Sequence, residues 1–250
     1  MTMSPSPDLR ILPDRDALFH AAADEFVRQT NAAISSRGRF TVALAGGSTP
    51  KGLYSLLATT PALPWEKMYF FFGDERHVPP DDPESNYRMA REALLSKAPI
   101  PAQNVFRVPA ENPDAAQAAQ AYEKTLRQFF QPATTFPRFD LILLGMGPDG
   151  HTASLFPGGK ALQERSRWVV SDWVEKFKTD RISLTLPVLN NAAVVMFLAA
   201  GEDKAETLKE VLEGQKPGDQ FPSKLVRPAD GQLIWLVDRA AAKALSSQRS

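Results

Sequence analysis

No cysteine occurs anywhere in the sequence. That excludes disulfides, thiolate nucleophiles and Cys-ligated metal centres, and it suits a reducing, cytoplasmic compartment, although a secreted protein can also lack cysteine. An excess of charge is missing too: 29 Lys and Arg balance 29 Asp and Glu, for a formal net charge of +0. Without a basic surplus or tail, the chain has no general electrostatic affinity for nucleic acid or for an anionic membrane surface. Any anion site must therefore be a local concentration of cations or of backbone N–H groups. Long apolar runs are also lacking. The longest, AAVVMFLAAG at 192–201, is too short to cross a bilayer and reads as a buried strand. The opening MTMSPSPDLRILPDRD has no apolar h-region of a signal peptide. Its first dozen residues read either as disordered or as an edge strand through LRIL. Histidine is scarce, with 3 in all, so His20, His77 and His151 are the whole supply of imidazole bases.

What is present is apolar patterning. The 250 residues are 43% hydrophobic, enough for a sizeable core in one domain spanning 1–250. Helices are expected at 14–36, 49–58, 86–96, 112–130, 204–214 and over the C-terminal RAAAKALSSQ. Strands are expected in FTVALAGG (40–47), MYFFFGDE (68–75), RFDLILLGMG (138–147), WVVSDWV (168–174), RISLTLP (181–187), AVVMFLAAG (193–201) and QLIWLVD (232–238), with a short one in NVFRVPA. Uninterrupted apolar strands alternating with amphipathic helices imply an α/β fold: a mostly parallel sheet with helices on both faces.

In such sheets ligands bind beyond the carboxyl ends of strands, and three strand ends here carry unusual residues. After FTVALA come Gly46, Gly47, Ser48 and Thr49, with Thr49 expected as the helix N-cap and Pro50 as the first helical residue. Two glycines, two hydroxyls and a helix N-terminus make a phosphate cradle. The same residues also read as an ordinary capped helix start. After MYFFF come Gly73, Asp74, Glu75, Arg76 and His77, a cluster of ionisable groups at the end of an apolar strand.

The third end is GMGPDGHTASLFPG, 145–158, whose Gly145, Gly147 and Gly150 spell G-x-G-x-x-G. As a dinucleotide fingerprint it has a further acid in Asp172, 22 residues beyond Gly150. The fingerprint needs a helix at its third glycine, and Pro157, Gly158 and Gly159 break that segment. The other reading gives the glycines a compact loop that presents Asp149 to orient an imidazole and His151 as a general base. His20, in the first helix, and His77, beside Arg76, fit structural or rim positions.

LAGGSTPKGLY, FFGDERHVPPDDPESNYRMARE and DLILLGMGPDGHTASLFPG, with RISLTLPVLNNA and AVVMFLAAGEDKA after them, resemble the 6-phosphogluconolactonase family in order and spacing. The resemblance implies a single-domain Rossmann-like sheet, like that of glucosamine-6-phosphate deaminases and ribose-5-phosphate isomerases, with no bound nucleotide. It implies hydrolysis of 6-phospho-D-glucono-1,5-lactone in the oxidative pentose phosphate pathway, with no metal and no organic cofactor. The partner is a small sugar-phosphate lactone, and the chain is expected to be a monomer or weak homodimer. Carried onto this sequence, the catalytic set is His151, Asp149, Arg76 and Asp74. His151 activates water, Asp149 holds His151, Arg76 faces the oxyanion, and Asp74 positions Arg76 or a sugar hydroxyl. The roles of Asp74 and Arg76 are exchangeable at this level.

The substrate and phosphate set is Gly46, Gly47, Ser48, Thr49, Arg181 and Asn86. Arg181 reads equally as a strand-edge ion pair, and Asn86 as a helix cap; Lys178 is a further cation near Arg181. The nearest rival is an amino-sugar phosphate deaminase, which needs an additional acid just after its D-G-H segment. Here no carboxylate follows His151 until Glu164. A sugar-phosphate-binding regulator without catalysis would have no need of both Asp149 and His151.

Overall fold

The computed structural model describes residues 7–61, 63–131 and 135–246. Nine strands are formed among them. In chain order they are β1 (Asp8–Leu12), β2 (Phe40–Leu44), β3 (Met68–Phe72), β4 (Asp74–Arg76), β5 (Leu141–Gly145), β6 (Val169–Val174), β7 (Thr179–Leu184), β8 (Val194–Ala199) and β9 (Gln232–Asp238). The α-helices are α1 (Arg15–Arg37), α2 (Ser48–Leu57), α3 (Asn86–Ala90), α4 (Ala115–Phe129), α5 (Leu186–Leu189), α6 (Ala205–Glu213) and α7 (Arg239–Ala242).

The main sheet has six strands in the order β1-β9-β8-β5-β2-β3, and every pairing in it is parallel. FTVAL of β2 and VVMFLA of β8 are buried throughout, as continuous apolar strands must be when both faces are covered. Helix α1 packs against α2 and meets β2 and β9, whereas α6 packs against α7, which meets β1 and β9. Helix α1 starts where Asp14 accepts the N–H of Ala17 at 2.8 Å and stops where Gly38 turns left-handed at φ 73°. LRIL is the edge strand β1, paired with β9; residues 1–6 of the opening segment lie outside the described residues, as do 247 and 248 of the C-terminal helix.

Three expectations are corrected. FFGDER does not continue as one strand. The chain leaves the main sheet at Gly73, whose N–H donates to Leu44 O at 2.9 Å and whose carbonyl accepts from Leu184 N at 2.8 Å. Residues 74–76 then enter a second sheet, ordered β4-β7-β6 and antiparallel throughout. WVVSDWV and RISLTLP belong to that sheet and not to the parallel one. The short link between them leaves no room for a crossover helix, so they fold as a hairpin. NVFRVPA forms no strand; it meets β3 through a bridge between Val105 and Phe70.

Buried residues of both sheets share one core. No helix among the described residues is long and apolar enough to cross a membrane. From β2 the chain moves outward to β3, whereas from β5 it moves the other way to β8 and β9. The loops after β2 and β5 therefore diverge and open a crevice at the switch point of the sheet.

Candidate active site

That crevice is a cleft of about 370 Å³, within the roughly 300–1,000 Å³ common for small-molecule sites. Loops after β2, β5 and β8 line it, together with β4, β7 and the residue that opens α3. The first loop differs from expectation in one respect. Helix α2 begins at Ser48, and its N-cap is Gly47, at φ 100°, not Thr49. No side chain caps this helix, so the N–H groups of its first turn point from a positive dipole end toward the cleft unneutralised.

The second loop carries the dyad. Gly150, at φ 79°, turns the chain, and no helix follows it. Asp149 Oδ1 binds His151 Nδ1 in a short hydrogen bond and also accepts from the His151 N–H at 3.3 Å. Facing a carboxylate, Nδ1 is the donor, which leaves Nε2 free to accept a proton. Burial disfavours the Asp149 carboxylate, but the His151 contacts and Lys176, 3.3 Å away, outweigh it and hold its pKa well below the carboxylate range. Phe156 packs against the imidazole at 4.3 Å between ring centres. Asp172, the acid of the dinucleotide reading, instead accepts the N–H of Ala161 at 3.0 Å.

Arg76 and Arg181 sit opposite one another in the β4–β7 register. Directly opposed like charges destabilise a sheet. Burial, and then the Arg76 guanidinium, depress the pKa of Arg181. Arg181 lies on the central strand of its sheet and makes no ion pair among the described residues, so the strand-edge reading is corrected. Its guanidinium rests 5.0 Å over the Phe177 ring. The Arg76 guanidinium donates to Glu84 O. Two neighbouring cations on the wall of a cleft can hold an anion between them.

Asp74 is buried and fixed at both oxygens. Ser154 Oγ donates to Oδ2 at 2.7 Å, and Asn86 Nδ2 donates to Oδ1 at 3.3 Å and to the Asp74 carbonyl at 2.9 Å. Asn86 is not the cap of α3; Ser85 is, accepting from Arg88 N at 3.1 Å. With its amino group committed to two acceptors, Asn86 turns Oδ1 toward Gly46, where a Cβ would lie 2.0 Å from it. That Oδ1 is the buried side-chain atom left without a hydrogen-bond partner among the described residues.

Glu75 staples this wall together. Its carboxylate accepts the N–H groups of Arg76, Asn86 and Tyr87 at 2.7–2.8 Å and the Ser85 hydroxyl at 3.1 Å. Burial still pushes its pKa up. Glu75→Gln replaces one acceptor oxygen with a donor facing backbone N–H groups. The expected loss of stability is about 1–3 kcal/mol, read as a lower midpoint in urea, with activity lost in parallel as α3 and Arg76 shift.

Sequence reasoning missed two residues here. Lys204 lines the cleft from the loop after β8 and lies 2.9 Å from Asp203; its position at a fourth strand end was the available signal. Ser154 carried no such signal, because only the folded loop brings it beneath Asp74. The other two histidines and Lys178 stand apart from the cleft. His77 Nε2 meets Asn112 O at 2.7 Å, His20 is exposed on α1, and Lys178 is exposed and pairs with Glu175. Among the described residues no group of three or more His, Asp or Glu is placed to hold a metal ion.

Comparison with known proteins gives consistent matches. Residues 13–235 match the family model described as glucosamine-6-phosphate isomerases/6-phosphogluconolactonase. A 6-phosphogluconolactonase of Nostoc sp. is 44% identical over 239 residues, covering 95% of this chain and 98% of its own. The human 6-phosphogluconolactonase is 43% identical over 251 residues, covering 97% and 96%. The solved 6-phosphogluconolactonase of Trypanosoma cruzi superposes with a TM-score of 0.87 at 33% identity, covering 98% and 99%. A monomeric glucosamine-6-phosphate deaminase, at 21% identity, shares the fold with a TM-score of 0.78 over 95% of this chain and 99% of its own.

Proposed function

The chain belongs to the family of glucosamine-6-phosphate isomerases and 6-phosphogluconolactonases, and from that premise we propose how its cleft carries out lactone hydrolysis. The activity is that of a 6-phosphogluconolactonase in the pentose phosphate pathway. The observation that carries the mechanism is the meeting of one oriented imidazole with a paired-arginine wall and an uncapped helix N-terminus in a single cleft.

His151 Nε2 takes a proton from water as the oxygen attacks the lactone carbonyl carbon. Asp149 holds the tautomer and stabilises the imidazolium that forms. Arg76 faces the oxyanion of the tetrahedral intermediate. When that intermediate collapses, the bond from the carbonyl carbon to the ring oxygen breaks, and His151 returns the proton to the departing oxygen. The products are a carboxylic acid, which ionises, and a free hydroxyl. Asp74, immobilised by Ser154 and Asn86, accepts from a sugar hydroxyl. The 6-phosphate occupies the Gly46–Thr49 loop, with Arg181 and Lys204 supplying its countercharge.

A deaminase would need a further acid near His151. Glu164, the next carboxylate in the chain, instead accepts the N–H groups of Arg165, Ser166 and Arg167 at 2.6–3.0 Å, which holds its pKa down at about 2. The deciding measurement pairs two substrates. Arg181→Met is expected to lower kcat/KM for freshly generated 6-phosphogluconolactone about 10- to 100-fold, the worth of one or two charge-assisted hydrogen bonds. Turnover of the unphosphorylated gluconolactone should change little. Unmodified protein that hydrolyses the phosphorylated lactone no faster than buffer, or that releases ammonia from glucosamine-6-phosphate, overturns the mechanism.

A further inference from the structure

We infer that Lys176, at the tip of the β6–β7 hairpin, is a positioning residue for the Asp149–His151 dyad. The inference rests on His151 being the base. Asp149 divides its two oxygens: Oδ1 faces the imidazole, and Oδ2 faces Lys176 Nζ at 3.3 Å. The two contacts come from different sheets. The dyad sits on the loop after β5, and Lys176 reaches it from the antiparallel hairpin. A second contact ties the same tip to the same loop. The Phe177 ring meets Phe156 edge-on at 5.8 Å, and Phe156 backs the imidazole. Hairpin and dyad loop are thus joined once through charge and once through aromatic packing.

Lys176 is 58% exposed, so the ion pair adds little to stability. Its effect falls on the carboxylate. A cation on Oδ2 keeps Asp149 from rotating away and disfavours a second positive charge on the imidazole. The other charged groups facing the dyad across the cleft are Arg181 on the hairpin, Asp74 and Arg76 on β4, Glu84 before α3, and Lys204 after β8. Of the lysines and arginines among the described residues, Lys176 alone lies within ion-pairing distance of Asp149. Lys178, the lysine that the sequence singles out, adopts a left-handed φ of 51° and turns away toward Glu175.

The test compares full-length wild type, Lys176→Gln and Lys176→Arg. The pH dependence of kcat/KM for the lactone is measured at low and high salt, and the His151 ring is titrated by NMR. In Lys176→Gln the acid limb and the ring titration should both move up by about half a pH unit, the Coulomb effect of one solvated charge roughly 6 Å away. The shift should shrink as salt rises. kcat should fall about two- to five-fold with KM near wild type, and Lys176→Arg should restore both. An unmoved acid limb and ring titration overturn the inference. So does a raised KM with kcat retained, which would make Lys176 a substrate ligand. The ring titration needs no turnover, so it tests the inference even if the lactone assay fails.

Discussion

Replacing His151 with Gln lowers kcat for lactone hydrolysis by about two to four orders of magnitude, the contribution typical of a general base. The rate falls toward that of the unassisted reaction, and buffer hydrolysis must be subtracted because the lactone opens in water unaided. The fold survives, since the imidazole is partly exposed and its hydrogen-bond partner is one side chain two residues away. What changes in stability is its pH dependence. Asp149 is depressed below its ordinary pKa of 3.8 in the folded state, chiefly by His151 against the cost of burial. A depressed carboxylate stabilises the fold above its unfolded pKa, and that contribution is lost as pH falls through the folded value. The stability gap between wild type and His151→Gln should therefore be open at neutral pH and narrow steadily below about pH 4. Urea midpoints at a series of pH values read it directly. Activity within ten-fold of wild type would remove His151 as the base.

The loop that carries the proposed base was legible because its signal is local. Asp149, Gly150 and His151 follow an apolar strand directly, and strand-end logic then says which way they face. The parallel sheet was legible for the same reason, since FTVAL, LILLG and VVMFLA cannot be anything but covered strands. The second sheet was not read. FFGDER is apolar and then charged without a break, and only the hydrogen bonds of Gly73 to Leu44 and Leu184 show where the strand changes partners. That missed turn hid the cross-strand pairing of Arg76 with Arg181, which no spacing of 105 residues reveals. Thr49 was misassigned as a cap for an instructive reason. Local propensity favours a Thr cap, but this helix leaves its first turn open, and Gly47 does so by offering no side chain. Asn86 was read as a ligand contact or a helix cap; Ser85 is the cap, and the unpaired Asn86 Oδ1 depends on two contacts with Asp74 that only the folded chain supplies.

Gly147→Ala should abolish most activity while leaving the protein folded. An added Cβ would lie 2.1 Å from both Cε1 and Nδ1 of His151 and 2.8 Å from Asp149 Oδ1. Contacts that short are not tolerated, so something must move. Gly147 is not among the glycines with left-handed backbone, so Ala fits the main chain there and the loop has no need to refold. The obstruction is a side chain free to rotate, and the imidazole swings off Asp149. Stability should change by no more than about 1 kcal/mol, whereas kcat should drop at least about 100-fold, because the base loses both position and tautomer. A double variant separates this from a general disturbance. In Gly147→Ala/His151→Gln the methyl has little left to displace, and the double variant should be no less active than His151→Gln alone, a non-additivity expected of groups acting as one unit. If the two losses multiply instead, Gly147 is needed for some other reason. Gly150 differs in kind: it sits at φ 79°, and a Cβ there would meet Phe221 at 2.7 Å, so Gly150→Ala should cost stability first. Two glycines of one G-x-G-x-x-G thus serve separate ends, one leaving space for an imidazole and one turning the backbone toward it.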